Sequence, residues 1–488
     1  MERSEEQRTR GRTGALVAGA LVLGTAVVGT VARGTGTRIP IGLERTSSST
    51  FTAPTGGAVT FSGTLDRTAV RRGTDGLVRM ELVIAAREQP ATRPVRVPTD
   101  LVVILDRSGS MAGAKLEQAR AAVRELLTQL GPDDRFGLVT YSNEATLVIP
   151  LTAADDRARD RWFSAVAEIA PSGGTNIASG LDLGLDTIER SRGSGRVPRV
   201  ILVSDGLANQ GDASHQGLVQ RGGRAARGEY MLTTVGVGAD FNEYLMTALA
   251  DAGTGNYYYL QSGDNLAAVL AREFGAARAT VASGLAVQIT PAGFVRVVDA
   301  AGYPLEPVAG TDPGAVVFRP GALFAGQERR VWVTLAVPSH ALGTVNLADV
   351  SLSYAVGAER TTIALTDVPR VACVEGEDDF YAGVDVSSWT RSVLVDGYNA
   401  LQQRVARDVK AGRLDDARKA IQEFRNDTAT MNARVQSAPV ADALLLVDEL
   451  DGEVGAAFRG ADQREKQNAL SKARGAAALD ERRAGSKQ

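Results

Sequence analysis

Leu101-Val102-Val103-Ile104-Leu105, five apolar residues in a row, pass without a break into Asp106-Arg107-Ser108-Gly109-Ser110-Met111. A short continuous apolar run rich in β-branched residues suits a strand buried on both faces, and the Gly-Ser pair that follows suits a turn. Beyond the turn, Leu116, Ala119, Val123, Leu126, Leu127 and Leu130 recur at spacings of three and four, which marks one face of an amphipathic helix. Further strand signals fall at Phe136–Tyr141, Val200–Val203 and Leu232–Val237, and helix signals at 155–169, 177–190 and 264–277. Strands alternating with helices predict a doubly wound, mainly parallel, Rossmann-like α/β sheet over residues 98–280.

The flanks follow a different period. Val78, Met80, Leu82 and Ile84 alternate with less apolar neighbours, as do Val331, Val333, Leu335 and Val337, and again Val350, Leu352, Tyr354 and Val356. A period of two is that of half-buried strands, so residues 281–372 are expected to form an antiparallel β-sandwich. Residues 58–97 are too few for a domain of their own and are expected to pair with that sandwich, leaving the α/β unit inserted in it. From about Ser387 the pattern turns helical: Trp389, Val393, Leu401 and Val405, then Leu414, Ala417, Ile421 and Phe424, joined through Gly412. A helical hairpin region over 387–460 fits, with an Ala-rich charged tail over 461–488 expected to fray.

At the other end, Gly14–Ala32 is 19 residues without a charge. At about 1.5 Å per residue this reaches the length needed for a bilayer core of about 30 Å. Residues 1–32 are therefore a signal or transmembrane anchor, and the Gly-, Thr- and Ser-rich stretch 33–57 is a flexible tether. Basic residues at 3, 8, 10 and 12 favour a cytoplasmic N-terminus, which places the bulk of a single-pass protein outside the cytoplasmic membrane. Cleavage after Thr30-Val31-Ala32 would instead leave a secreted or periplasmic protein.

Composition narrows the chemistry. The chain has 488 residues, 54 basic against 57 acidic, a net charge of −3 that lacks the basic field of nucleic-acid binders. The single cysteine, Cys373, excludes an intrachain disulfide and any zinc site that needs two thiolates. Two histidines, His215 and His340, both expected at the surface, leave little room for imidazole catalysis.

In open α/β sheets ligands bind beyond the C-terminal ends of the strands. Three loops of the α/β unit carry oxygen ligands: Asp106-Arg107-Ser108-Gly109-Ser110 after the strand at 101–105, Ser172-Gly173-Gly174-Thr175-Asn176 before the helix at 177, and Ser204-Asp205-Gly206 after the strand at 200–203. The hydroxyls of Ser108, Ser110 and Thr175 suit direct contact with a hard divalent cation such as Mg²⁺, with Asp106 and Asp205 holding its waters. That neutral shell would leave one vertex for a carboxylate from another molecule. The alternative for Asp106 and Ser108 is plain N-capping of the helix at 114–130. Arg107 places a positive charge beside the proposed ion.

With DRSGSM at 106–111, SGGTNI at 172–177 and VSDG at 203–206 in this order, residues 98–280 resemble the von Willebrand factor type A (vWA) domain and its metal-ion-dependent adhesion site. The resemblance implies a Mg²⁺ or Mn²⁺ site at Asp106, Ser108, Ser110, Thr175 and Asp205, used to bind the carboxylate of a protein partner rather than for catalysis. It also points to bacterial exported proteins with extra strand-rich and helical regions, and to shifts of the helix at 264–277 felt by the flanking sandwich. Two other readings stand beside it: an assembly factor working with an ATPase, and a hydrolase using Ser108 or Ser110, which lacks a GxSxG elbow and a nearby histidine.

Overall fold

The computed structural model describes residues 50–484 apart from 55–56, 88–96, 191–194, 239–240, 309, 311–313, 369 and 461. The apolar segment 14–32 and most of the tether at 33–57 lie outside the described residues, and no helix within them is long and apolar enough to cross a membrane.

The inserted unit is a six-stranded sheet of β1 (Thr99–Asp106), β2 (Arg135–Tyr141), β3 (Ala145–Ala153), β4 (Val197–Ser204), β5 (Met231–Val237) and β6 (Thr254–Leu260) in the order β3-β2-β1-β4-β5-β6. All pairings are parallel except that of β3 with β2. Helices α1 (Ala114–Gln129), α2 (Asp156–Ala167), α3 (Ile177–Arg190), α4 (His215–Arg227), α5 (Glu243–Ala252) and α6 (Leu266–Arg278) cover its two faces.

Alternate residues of the run that opened the sequence go to opposite faces. Leu101, Val103 and Leu105 join Leu116, Val123, Leu126 and Phe274 in one core, while Val102 and Ile104 join Leu181, Leu185, Leu218 and Leu245 in another. Every residue of β1 is buried, as expected of a central strand in a sheet covered on both sides. Helix α3 lies so close to the sheet that a Cβ at Gly184 would stand 2.3 Å from Ile104 Cδ1.

Outside the insertion, the alternating runs of the sequence are neighbours. Leu77–Ala86 pairs antiparallel with Glu328–Ala336, with Val331 opposite Leu82, Val333 opposite Met80 and Leu335 opposite Val78. One five-stranded sheet therefore holds strands from both sides of the α/β unit, and a second is built on Thr280–Pro291 and Ala348–Val356. Their inner faces share one core, including Met80, Ile84, Leu285, Val333 and Leu352, which Cys373 joins from the strand Arg370–Val374 of a separate three-stranded sheet. The lone cysteine is a small buried residue of that core.

The C-terminal region is larger than a hairpin. Tyr398–Lys410 and Leu414–Val435 turn at Gly412, whose φ of +73° suits glycine. Ala438–Ala457 adds Val447, Leu450 and Val454 to the same core. The tail expected to fray forms a helix, Gln463–Ala484. Leu470 packs against that core, Ser471 Oγ donates to Ala406 O at 2.9 Å, and Arg474 Nε donates to Glu453 Oε2 at 2.9 Å.

Candidate metal centre

Strands β1 and β4 lie side by side and parallel, Leu105 opposite Val203, so their ends deliver Asp106 and Ser204-Asp205 to one edge of the sheet. From β1 the chain runs outward through β2 and β3 and then crosses back to β4 on the other side of β1, and the crevice at such a switch point is where doubly wound sheets bind ligands.

Asp106 is fully buried; its Oδ1 accepts from the Ser108 backbone N–H at 2.8 Å and its Oδ2 from Ser204 Oγ at 2.9 Å. Ser108 Oγ and Ser110 Oγ are 3.0 Å apart, and Ser110 Oγ donates to Oδ1 of the fully buried Asp205 at 2.7 Å. The other oxygen of Asp205 accepts from Lys115 Nζ at 2.5 Å. Thr175 Oγ1 and Ser110 Oγ stand 3.2 and 3.5 Å from the point where a Cβ on Gly206 would sit, so the second loop closes on the same spot as the first and third. The five residues singled out in the sequence thus come from three separate loops into one cluster.

The capping alternative does not describe these residues. Helix α1 begins at Ala114 after Gly113, and Ser108 makes no side-chain capping bond to the short turn at Gly109–Met111. The Arg107 side chain reaches the backbone, its Nη1 donating to Ala170 O at 3.4 Å. His215 is exposed and stacks on Tyr244, with ring centroids 4.7 Å apart, and His340 is exposed.

Several supporting residues carry no motif. Asn143 Oδ1 accepts from Gly174 N at 2.7 Å, Asn209 Oδ1 accepts from Thr175 N at 2.8 Å, and Gly109 N donates to Gly173 O at 3.0 Å. These bonds hold the Ser172–Asn176 loop against its neighbours. Lys115 likewise lies outside the three motifs. For Lys115 a signal existed: it is the only lysine before residue 410 in a chain whose other cationic side chains are almost all arginine.

The residues fit a hard divalent cation. Burial pushes the Asp106 carboxyl up from its ordinary range, the bonds from Ser108 and Ser204 fall short of offsetting it, and the Asp205 charge adds to it. A buried carboxylate whose partners are neutral donors is costly unless a cation balances it. Every side-chain donor here is oxygen, the set that suits Mg²⁺ or Mn²⁺. The shell is hydroxyl-rich: among the described residues no three of His, Cys, Asp and Glu gather as a metal cluster.

Residues 100–272 match the von Willebrand factor type A domain. The human inter-alpha-trypsin inhibitor heavy chain H4 is 31% identical over 160 residues, which cover 32% of this chain but only 17% of that protein. An uncharacterized protein of Synechocystis is 24% identical over 321 residues, covering 63% of this chain and 73% of its own length. Among solved structures, a von Willebrand factor type A protein from Catenulispora acidiphila superposes with a TM-score of 0.60 at 16% identity, over 88% of this chain and 99% of that one. At that identity the likeness is one of fold, and it extends beyond the α/β unit. Strand order, three converging loops and the match over 100–272 together make this part of the chain a von Willebrand factor type A domain.

Proposed function

We propose that the chain is a non-catalytic, divalent-metal-dependent protein-binding module that grips an acidic residue of a partner protein, displayed outside the cytoplasmic membrane through the apolar segment 14–32. The observation that carries this reading is the pair of fully buried carboxylates, Asp106 and Asp205, ringed by the hydroxyls of Ser108, Ser110 and Thr175 at the switch point of the sheet. Ser108, Ser110 and Thr175 are the residues that would hold Mg²⁺ or Mn²⁺ directly, with Asp106 and Asp205 orienting its waters. Bound there, the ion would supply an electrophilic vertex for an incoming carboxylate. Ser108 N and Ser204 Oγ fix Asp106, and Asn143 and Asn209 fix the loop that carries Thr175, so the chain presents the donors already arranged.

A binding role is also favoured by what surrounds the serines. The Ser110 hydroxyl is engaged by Ser108 and Asp205, and Asp205 in turn by Lys115, with no imidazole in that chain of contacts. Titration calorimetry of Mg²⁺ and Mn²⁺ into the full chain tests the reading: one site is expected for the wild type and none for Asp106→Ala. Equal binding by both proteins would overturn it.

A further inference from the structure

Lys115 is out of place by the usual electrostatics of helices. It is the second residue of α1, where the positive end of the helix dipole disfavours a cation. Its placement follows from Asp205 instead: Lys115 Nζ reaches Asp205 Oδ2 at 2.5 Å, with the carboxylate fully buried and the lysine side chain 31% exposed. The stem runs beside Gly238 at the end of β5, where a Cβ would stand 3.4 Å from both Cε and Nζ. Arginine carries a flat, five-donor fork, whereas an ammonium is a compact point charge, the nearest thing among side chains to a small cation. The chain uses lysine here and at no earlier position.

We propose that Lys115 is the built-in counter-cation of the centre: it neutralises Asp205 in the metal-free protein, must release that carboxylate when a divalent ion is taken up, and thereby sets the affinity of the site. The inference rests on the metal-binding reading above and adds its regulation. Two charges compete for one buried carboxylate, so removing the internal one should favour the external one. It should also leave the metal-free protein less stable, since Asp205 then lies buried with only a hydroxyl as partner.

The test is calorimetric titration of Mg²⁺ and of Mn²⁺ into the full chain as wild type, Lys115→Met, Lys115→Gln and Lys115→Arg, with thermal melting in EDTA and in excess Mg²⁺. K115M keeps the apolar stem and loses the charge, and should bind roughly tenfold tighter than wild type. It should melt lower than wild type in EDTA and gain more from Mg²⁺. K115Q carries the same expectation where K115M does not fold. K115R keeps the charge and should stay within about threefold of wild type. A wild type that binds metal, with K115M and K115Q binding no tighter, overturns the inference alone; so does K115R tightening as much as K115M, which would assign the effect to packing. Absence of binding in wild type and both neutral variants overturns the metal reading itself.

Discussion

Thr175 separates ligand chemistry from scaffolding, because its backbone and side chain have different partners. The backbone is held on both sides by Asn209, through Thr175 N to Asn209 Oδ1 at 2.8 Å and Asn209 N to Thr175 O at 3.1 Å. The hydroxyl faces Gly206 and Ser110. Thr175→Val exchanges that hydroxyl for a methyl group and leaves the backbone bonds to Asn209 in place, so Mg²⁺ affinity should fall by about tenfold or more while the protein still unfolds cooperatively in urea. Calorimetric titration and urea denaturation of the same preparation check both halves, and unchanged affinity would take Thr175 out of the site. The five oxygen-bearing residues were legible in the sequence because they sit in three short motifs, two directly after strands and one directly before a helix. Asn143 and Asn209 were not, since their part depends on where loops distant in sequence come to rest. Lys115 was visible only as an oddity of composition until its partner, 90 positions away, was known.

Helix α6 is tied to the sheet by one carboxylate. Glu273 Oε2 accepts from Arg199 Nη1 at 3.1 Å and Thr233 Oγ1 at 2.7 Å, and Oε1 from Asn256 Nδ2 and Tyr258 OH, both at 2.8 Å. The donors come from β4, β5 and β6, so a single side chain pins α6 to three strands. Burial raises the carboxyl's pKa, but Arg199 and the three donors outweigh it and hold Glu273 below its ordinary range. Arg199 and Glu273 are 0% and 1% exposed, and a buried pair of this kind is costly to break from one side. Glu273→Ala should therefore cost about 3–5 kcal/mol in urea denaturation, whereas the double variant Arg199→Met/Glu273→Leu should recover most of that loss. A double variant as unstable as the single one would mean that the bonds to Thr233, Asn256 and Tyr258 carry the stability. Any movement of α6 on ligand capture must first work against this network. At this scale most of the sequence signals were strong: continuous apolar runs became β1, β2, β4 and β5, and three-and-four spacing became α1, α2, α3 and α6. Helix α4 escaped because Gly222 and Gly223 lie within it and its apolar face is thin, and β3 because its burial pattern is irregular on an edge strand.

At the level of the whole molecule the vWA domain is an insertion, so the chain must enter and leave it at one place. Asp134, in the turn between α1 and β2, closes that place. Its Oδ1 accepts from the backbone of Thr99, the first residue of β1, at 2.9 Å. Its Oδ2 accepts from Gly131 N at 2.7 Å and from Arg278, the last residue of α6, at 2.9 Å. Two residues later the chain is in Thr280–Pro291, the centre of the second sandwich sheet. The pair Arg360 Nη2 to Glu229 Oε1 at 2.5 Å, which links the sandwich to the α/β unit, is half exposed on the arginine side and contributes little by comparison. Burial raises the pKa of Asp134, yet the bonds from Arg278, Gly131 and Thr99 outweigh it and leave the carboxyl below its ordinary range. The folded protein thus prefers the ionised form more than the unfolded chain does. The resulting stabilisation is complete above the unfolded carboxyl's pKa of about 3.9 and is lost as pH falls through the lower folded value. Asp134→Asn should cost about 3 kcal/mol at neutral pH, because however the amide is turned its NH₂ confronts an N–H donor. Urea denaturation across pH should then show the gap between wild type and D134N narrowing below about pH 4. A gap constant with pH would mean that the turn is held by its shape and not by the charge of Asp134.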